Sequence, residues 1–237
     1  DPVLTQLAAK ADKWVPVRPA TDAALALSMM YVMVNEDLVN KPFLKQHTCA
    51  PFLVRSDTGK FLRMSDLGVE PQVVETQRDQ VSSASSSNKG AAVGQSSTVT
   101  KTIDQPAVLD SDGKAVGADE AADPLLNGTY DFNGIACRTA YDLLVEDIMD
   151  YAPEAASEIC DVPADTIVEL AHMAIDGPCI HRLGWGSNSY TNGVHAAHAN
   201  ITMAALTGQI GYSGAGTGIG DFKPCWGINA LVKGMTA

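Results

Sequence analysis

Residues 179–188, Cys179-Ile180-His181-Arg182-Leu183-Gly184-Trp185-Gly186-Ser187-Asn188, decide the fold class. A short strand-like run over 179–184 breaks at glycine, a polar turn follows, and a long helix is expected from about Thr191 to Thr207. Strand, glycine turn and helix are the building unit of α/β folds, which bind ligands at the strand-to-helix turn, here residues 184–191. Gly184 and Gly186 let a bare backbone approach a flat ligand or a phosphate, and the following helix presents free N–H groups.

Working outward, the segment 208–220, Gly-Gln-Ile-Gly-Tyr-Ser-Gly-Ala-Gly-Thr-Gly-Ile-Gly, reads as a tightly turning loop after the helix. Upstream, Pro163 starts a helix to about Met173, with Ile167, Leu170 and Ala171 as its apolar stripe. Pro153 starts a shorter one through Ile159, and residues 139–150 place Tyr141, Leu144, Ile148 and Met149 on one helical face. Near the start of the chain, Thr21 or Asp22 caps a helix over 21–36 and Asn40-Lys41-Pro42 opens a second over 40–47. Trp14–Arg18 reads as extended, leading into a turn at Pro19.

Between these helical stretches the texture changes. Residues 52–55 and 60–63 flank Ser56-Asp57-Thr58-Gly59 as a β-hairpin, a second hairpin turns at Asp110–Gly113, and a third joins 129–132 to 135–138 through Asn133-Gly134. Residues 82–100 are rich in Ser, Gly and Ala and read as a flexible surface loop. The expected fold is therefore α/β: parallel-sheet, Rossmann-like nucleotide-binding segments with a β-hairpin insertion. Residues 1–50 would end one α/β unit, 51–138 form the insertion, and 139–237 start a second unit.

The 237 residues include 28 acidic and 16 basic side chains, a net charge of −12, with 46% hydrophobic residues and 19% charged ones. That balance describes a chain with a real core, and it argues against a nucleic-acid backbone or an anionic membrane surface as main partner. It leaves room for a nucleotide cofactor held by backbone amides. Nothing approaches the ~18 apolar residues of a membrane-spanning helix. The start at Asp1-Pro2, without an initiator Met or a signal-peptide layout, leads us to expect an internal stretch of a longer protein. Cys49, Cys137, Cys160, Cys179 and Cys225 form no C-x-x-C pair, so they read as small buried residues rather than a disulfide or zinc framework.

Several motifs fail on context. Gly214, Gly216 and Gly218 approach a dinucleotide fingerprint, but Ile219 breaks the spacing and the segment follows a helix. No glycine is followed by Lys-Ser or Lys-Thr, which removes a Walker loop. Gly211-Tyr212-Ser213-Gly214-Ala215 only approximates a nucleophile elbow and lacks a preceding strand. His195 and His198 lie three apart on a helix without an evident third metal ligand. Arg18-Pro19-Ala20-Thr21-Asp22 is more informative, because it sets a guanidinium, a rigid turn and a carboxylate at one helix start. A carboxylate accepts two parallel hydrogen bonds, and guanine offers that donor pair at N1–H and its exocyclic amine, whereas adenine does not. A plain N-cap is the alternative for this segment.

Asp1-Pro2 with Thr5, Ala11–Leu25 (Ala-Asp-Lys-Trp-Val-Pro-Val-Arg-Pro-Ala-Thr-Asp-Ala-Ala-Leu), Asn35–Val39 and Pro42-Phe43-Leu44 together resemble the dimethyl sulfoxide reductase family. Glu158–Ile167, Gly184-Trp185-Gly186, and Ala204–Gly211 followed by Gly214 and Gly216 continue the resemblance in the same order. These are molybdenum or tungsten oxidoreductases carrying bis(molybdopterin guanine dinucleotide). Ala20 and Gln209 stand where the family usually has Gly and Asn, and Ser187-Asn188-Ser189 where many members have Pro-Gln-Arg.

The resemblance implies that Asp1 lies near the nucleotide sugar and that Thr5, Arg18 and Asp22 share in cofactor binding, Asp22 as the guanine reader. Gly184, Trp185, Gly186 and Ser187 would line the second cofactor's pocket. It places the protein ligand of the metal and a 4Fe-4S cluster upstream of these residues. The parent subunit would carry out oxygen-atom or electron transfer, such as S- or N-oxide reduction, with an iron–sulfur electron-transfer subunit. The extracytoplasmic face is the expected location. Two other classes stay open at this point: a stand-alone nucleotide-dependent enzyme, and a non-catalytic interaction domain with an acidic surface.

Overall fold

An Ala/Leu/Met-rich run without a polar side makes the first helix, α1 (Asp22–Asn35), and explains where it sits. Ala24, Ala26, Met29, Met30, Val32 and Met33 are all buried, because a helix that is apolar all round needs neighbours on several sides. The computed structural model describes residues 1–79 and 96–219. These divide into two compact units, one of Asp1–Thr48 with the chain from Leu143 onward, the other Cys49–Asp142.

In the first unit, α1 is followed by α2 (Lys41–His47), whose Asn40 Oδ1 accepts from Phe43 N at 3.0 Å while Pro42 sits in the first turn.

The second unit is built from short strands: β1 (Leu53–Arg55), β2 (Gln72–Asp79), β3 (Ser96–Ile103), β4 (Ala107–Leu109), β5 (Ala115–Gly117), β6 (Thr129–Phe132) and β7 (Ile135–Thr139). They pair antiparallel as β1-β7-β6, β2-β3 and β4-β5 around Leu53, Leu62, Ala107, Leu109 and Cys137. The hairpins expected at 110–113 and 133–134 form; Asn133 and Gly134 both take positive φ (52° and 81°), as a type I′ turn needs.

The first expected hairpin forms in shortened form: Val54 bridges Phe61, and Arg55 N and Leu62 N donate across the turn to Lys60 O and Leu53 O, while the other side of β1 pairs along its length with β7. Leu62 is fully buried, and its own carbonyl accepts from Ala107 N, which ties this arm to β4 as well. The Ser/Gly-rich loop expected over 82–100 lies outside the described residues up to 95. Residues 96–100 belong to β3 and pair with Thr100↔Glu75 through Ser96↔Asp79.

From α3 (Ala140–Ile148) onward the chain is helical again, with α4 (Pro153–Cys160) and α5 (Ala164–Met173), and α1 packs against both α4 and α5. The strand β8 (Ile180–Leu183) then leads through a 3-10 turn (Trp185–Ser189) into α6 (Gly193–Leu206) and β9 (Gly216–Ile219). The glycine tail is thus not only a loop: its last described residues form a strand parallel to β8, in register Ile180↔Gly216 to Leu183↔Ile219. Among the described residues this is the one parallel pair, so the protein is mixed α/β with mostly antiparallel pairing rather than a broad parallel sheet.

Helix α6 runs parallel to α1. Asn192 Nδ2 donates to Ala20 O (2.7 Å) at their N-terminal ends, and Asn40 N donates to Leu206 O (2.7 Å) beyond their C-terminal ends. Gly208 (φ 70°) stops α6, and a Cβ there would meet Asn40 Nδ2 at 2.4 Å. Gln209 is buried and spans to the start of β8, accepting from Cys179 N at 3.2 Å and donating to Gly177 O at 3.1 Å. Of the cysteines expected to be buried, Cys137 and Cys160 are, whereas Cys49 is exposed and Cys179 half-buried; Cys225 lies outside the described residues.

Candidate functional site

The turn before α1 is held from two sides. Arg18 N donates to Cys160 O at 2.9 Å, and Arg18 grips Asp161 with both prongs, Nε to Oδ2 at 2.7 Å and Nη2 to Oδ1 at 2.6 Å. Asp161 is the left-handed residue (φ 61°) that ends α4, and its carboxylate raises the already high basicity of Arg18. Thr21 N and Thr21 Oγ1 both donate to Arg18 O, at 3.2 and 2.7 Å, closing a turn with Pro19 second and Ala20 third. Ala20 has φ 69°. That left-handed third position is where such a turn favours glycine, which accounts for the glycine usual in the resembling family.

Thr21 stands at the cap position of α1, as expected, but its hydroxyl points back to Arg18 and makes no side-chain bond to the helix amides. Asp22 is the first residue of the helix, half-buried, and its carboxylate takes no hydrogen bond or ion pair among the described residues. It is an open pair of acceptors in a fixed place.

The second turn begins at Gly184 (φ −69°, ψ 151°), and Ser187 N donates to Gly184 O at 3.2 Å. Gly184 and Gly186 are exposed, neither has positive φ, and a Cβ on either would meet no atom within 4 Å. Backbone angle and internal packing therefore give no reason for glycine at these positions. Both leave bare backbone facing open space. Helix α6 has no side-chain cap and no acidic residue in its first turn; Gly193 N donates to Tyr190 O at 3.0 Å, and the amides that follow it, Val194 and His195, are the ones placed to meet an anion. Asn192 stands at the cap position, but its amide goes to Ala20 O instead.

That contact joins the turn at 18–22 to the turn at 184–192. Asp1 and Thr5 are not joined to either by a hydrogen bond or ion pair among the described residues. Asp1 Oδ1 accepts from Val3 N (3.2 Å), Asp1 O from Trp14 Nε1 (2.9 Å), and Thr5 Oγ1 from Ala8 N (3.2 Å).

Beside the second turn, Leu183, Ala197, Asn200, Ile201, Thr217 and Gly218 line a hollow of about 200 Å³, in which Thr217 Oγ1 donates to Asn200 Oδ1 at 3.0 Å. It lies between the middle of α6 and the pair β8–β9, reaching the last residue of β8, and it is smaller than the ~300–1,000 Å³ of a complete small-molecule pocket. Asn200 and Thr217 were not legible as site residues: one is mid-helix, and the other stands in a run that reads as a loop. A wider groove of about 600 Å³ on the outer face of α5 is lined by Asp165, Glu169 and Asp176, a sign of charge that repels phosphates. Among the described residues no three His, Cys, Asp or Glu side chains are grouped to hold a metal, His195 and His198 included.

The two segments that the structure links are those carried by the family resemblance, and a wider comparison agrees. The model of the molybdopterin oxidoreductase family matches residues 1–222. The chain belongs to the molybdopterin oxidoreductase family. It is 30% identical over 226 residues to the dimethylsulfide dehydrogenase subunit alpha of Rhodovulum sulfidophilum, covering 94% of this chain and 22% of that one. It is 32% identical over 252 residues to the perchlorate reductase subunit alpha of Dechloromonas aromatica (97% and 26%). With dimethyl sulfoxide reductase DmsA of Escherichia coli it shares 27% over 220 residues (92% and 18%). The chain thus spans about a fifth to a quarter of the length of these relatives.

Proposed function

We propose that this chain is the cofactor-binding portion of the catalytic subunit of a molybdenum or tungsten oxidoreductase, and that its two linked turns receive bis(molybdopterin guanine dinucleotide). The observation that carries this reading is the unengaged Asp22 carboxylate at the start of α1, tied through Ala20 and Asn192 to the bare backbone of 184–187.

The donor set fits the group. A carboxylate suits the neutral N1–H and exocyclic amine of guanine and repels phosphate, so Asp22 reads the base. The uncapped start of α6, free of acidic residues, suits a diphosphate. Gly184, Trp185, Gly186 and Ser187 line the pocket of the second cofactor through backbone approach. Asp1 and Thr5 lie toward the nucleotide sugar, and Arg18, fixed by Asp161, borders the guanine turn. On this reading residues 1–50 contribute the helices α1 and α2, and residues 139–237 the parallel pair β8–β9 with α6, to Rossmann-like nucleotide-binding units completed by the rest of the subunit. When bound, the group supplies the redox-active metal for oxygen-atom or electron transfer, S- or N-oxide reduction being the reaction class favoured by the resemblance. The metal's protein ligand and a 4Fe-4S cluster come from elsewhere in the catalytic subunit. Its partners are the rest of that subunit and an iron–sulfur electron-transfer subunit, on the extracytoplasmic side of the membrane.

The test uses the full-length enzyme. Asp22→Asn replaces one acceptor by a donor that opposes guanine's own donors, a loss of ~2–3 kcal/mol for a charge-assisted pair. The expected result is a fall of tenfold or more in guanine released per protein, with molybdenum or tungsten falling in step. Unchanged content would remove Asp22 from the site.

A further inference from the structure

Ala20 is a residue with a Cβ in a backbone conformation that favours glycine, and its carbonyl accepts from the half-buried Asn192 side chain at 2.7 Å across 172 residues of sequence. Asn192 stands at the cap position of α6, where its side chain would ordinarily accept from the helix's own amides, and it leaves those amides uncapped. One strained turn and one forgone cap meet in a single hydrogen bond. The carbonyl orientation that the left-handed turn produces is what the Asn192 amide requires, so the bond favours that conformation over the alternatives open to Ala20.

We propose that Asn192 is a positioning residue: by holding Ala20 O, it keeps the Arg18–Thr21 turn in the form that fixes the Asp22 carboxylate relative to the 184–187 turn. The inference rests on the reading of Asp22 as the guanine acceptor. With glycine at position 20 the turn would hold this shape unaided. With alanine the left-handed position carries strain that the bonds at Arg18 and Thr21 do not address directly, and Asn192 is the partner that holds Ala20 O itself. The device thus offsets a substitution in the turn by a contact from a distant helix start.

Three full-length variants test it: Asn192→Ala, Asn192→Ala with Ala20→Gly, and Asp22→Asn. Guanine and metal per protein are measured, together with hydrogen exchange at the Thr21 amide in the cofactor-free enzyme, since Thr21 N closes the turn on Arg18 O. Asn192→Ala is expected to lower cofactor content about fivefold, the size of one net hydrogen bond, and to speed Thr21 exchange by a similar factor. Adding Ala20→Gly is expected to restore both to within about twofold of the parent, because glycine takes the turn conformation without strain. A general role of Asn192 in starting α6 would not be rescued at position 20. Parent-like content and exchange in Asn192→Ala overturn the proposal, and so does a double variant that stays as low as the single one. If Asp22→Asn keeps its guanine, the guanine reading falls separately, and the Thr21 exchange rates still decide whether Asn192 holds the turn.

Discussion

At the scale of single residues, the chemistry that was legible was the kind that depends on residue type at a helix start. Arg18, Asp22, Gly184 and Gly186 stood out because carboxylate, guanidinium and glycine have few interchangeable roles. What could not be read was the partner of each. Arg18 spends both prongs on Asp161, 143 residues away, and Asn192 reaches back to Ala20, because such pairings are set by how helices pack. His181 is the other residue that only packing exposes. It is buried in β8, its Nε2 has no hydrogen-bond partner among the described residues, and burial lowers its pKa below the ordinary 6.5. The folded imidazole therefore stays neutral where the unfolded one already takes a proton, so this group removes stability as pH falls below about 6.5, down to its depressed folded pKa. Urea midpoints at pH 7, 6 and 5 should decline less steeply in His181→Leu than in the parent. An equal or steeper decline would show that His181 is not the group responsible.

At the scale of elements, periodicity and capping signals located every helix from α1 to α6, and turn chemistry located the hairpins at 110–113 and 133–134. The strands β2, β3 and β9 escaped. Gly216–Ile219 has no strand-like composition, and it becomes a strand because α6 returns the chain beside β8. Val73, Val74 and Val99 are exposed, so β2 and β3 show no apolar-in, polar-out alternation to read. Two glycines separate backbone cost from packing cost. Gly134→Ala meets open space at φ 81° and should cost about 1 kcal/mol in chemical denaturation. Gly208→Ala adds a contact at 2.4 Å with the Asn40 side chain that caps α2, and should cost about 2 kcal/mol or more. Equal losses at both positions would mean that Asn40 yields without effect on α2.

At the scale of the whole molecule, the charge of −12 and the absence, among the described residues, of any helix long and apolar enough to cross a membrane bear on partners rather than on the site. The insertion, with its own core of Leu53, Leu62, Ala107, Leu109 and Cys137, is antiparallel among its described residues, as its hairpin signals led us to expect. The parallel sheet expected on either side of it is limited among the described residues to the pair β8 and β9, residues 1–50 holding helices and no strand. What joins the far-separated stretches of the first unit is helix packing, with α1 against α4, α5 and α6, and it is this packing that sets the two turns side by side. The hollow of about 200 Å³ is smaller than a complete small-molecule pocket, and the chain spans 22% of the dimethylsulfide dehydrogenase subunit it resembles. The most direct measurement is an experimental structure of the full-length enzyme with its cofactor. The account predicts guanine N1 and its exocyclic nitrogen within ~2.7–3.2 Å of the two Asp22 carboxylate oxygens, with the backbone of 184–187 against the other cofactor molecule. Guanine bound elsewhere, with Asp22 turned away from both cofactors, would contradict it.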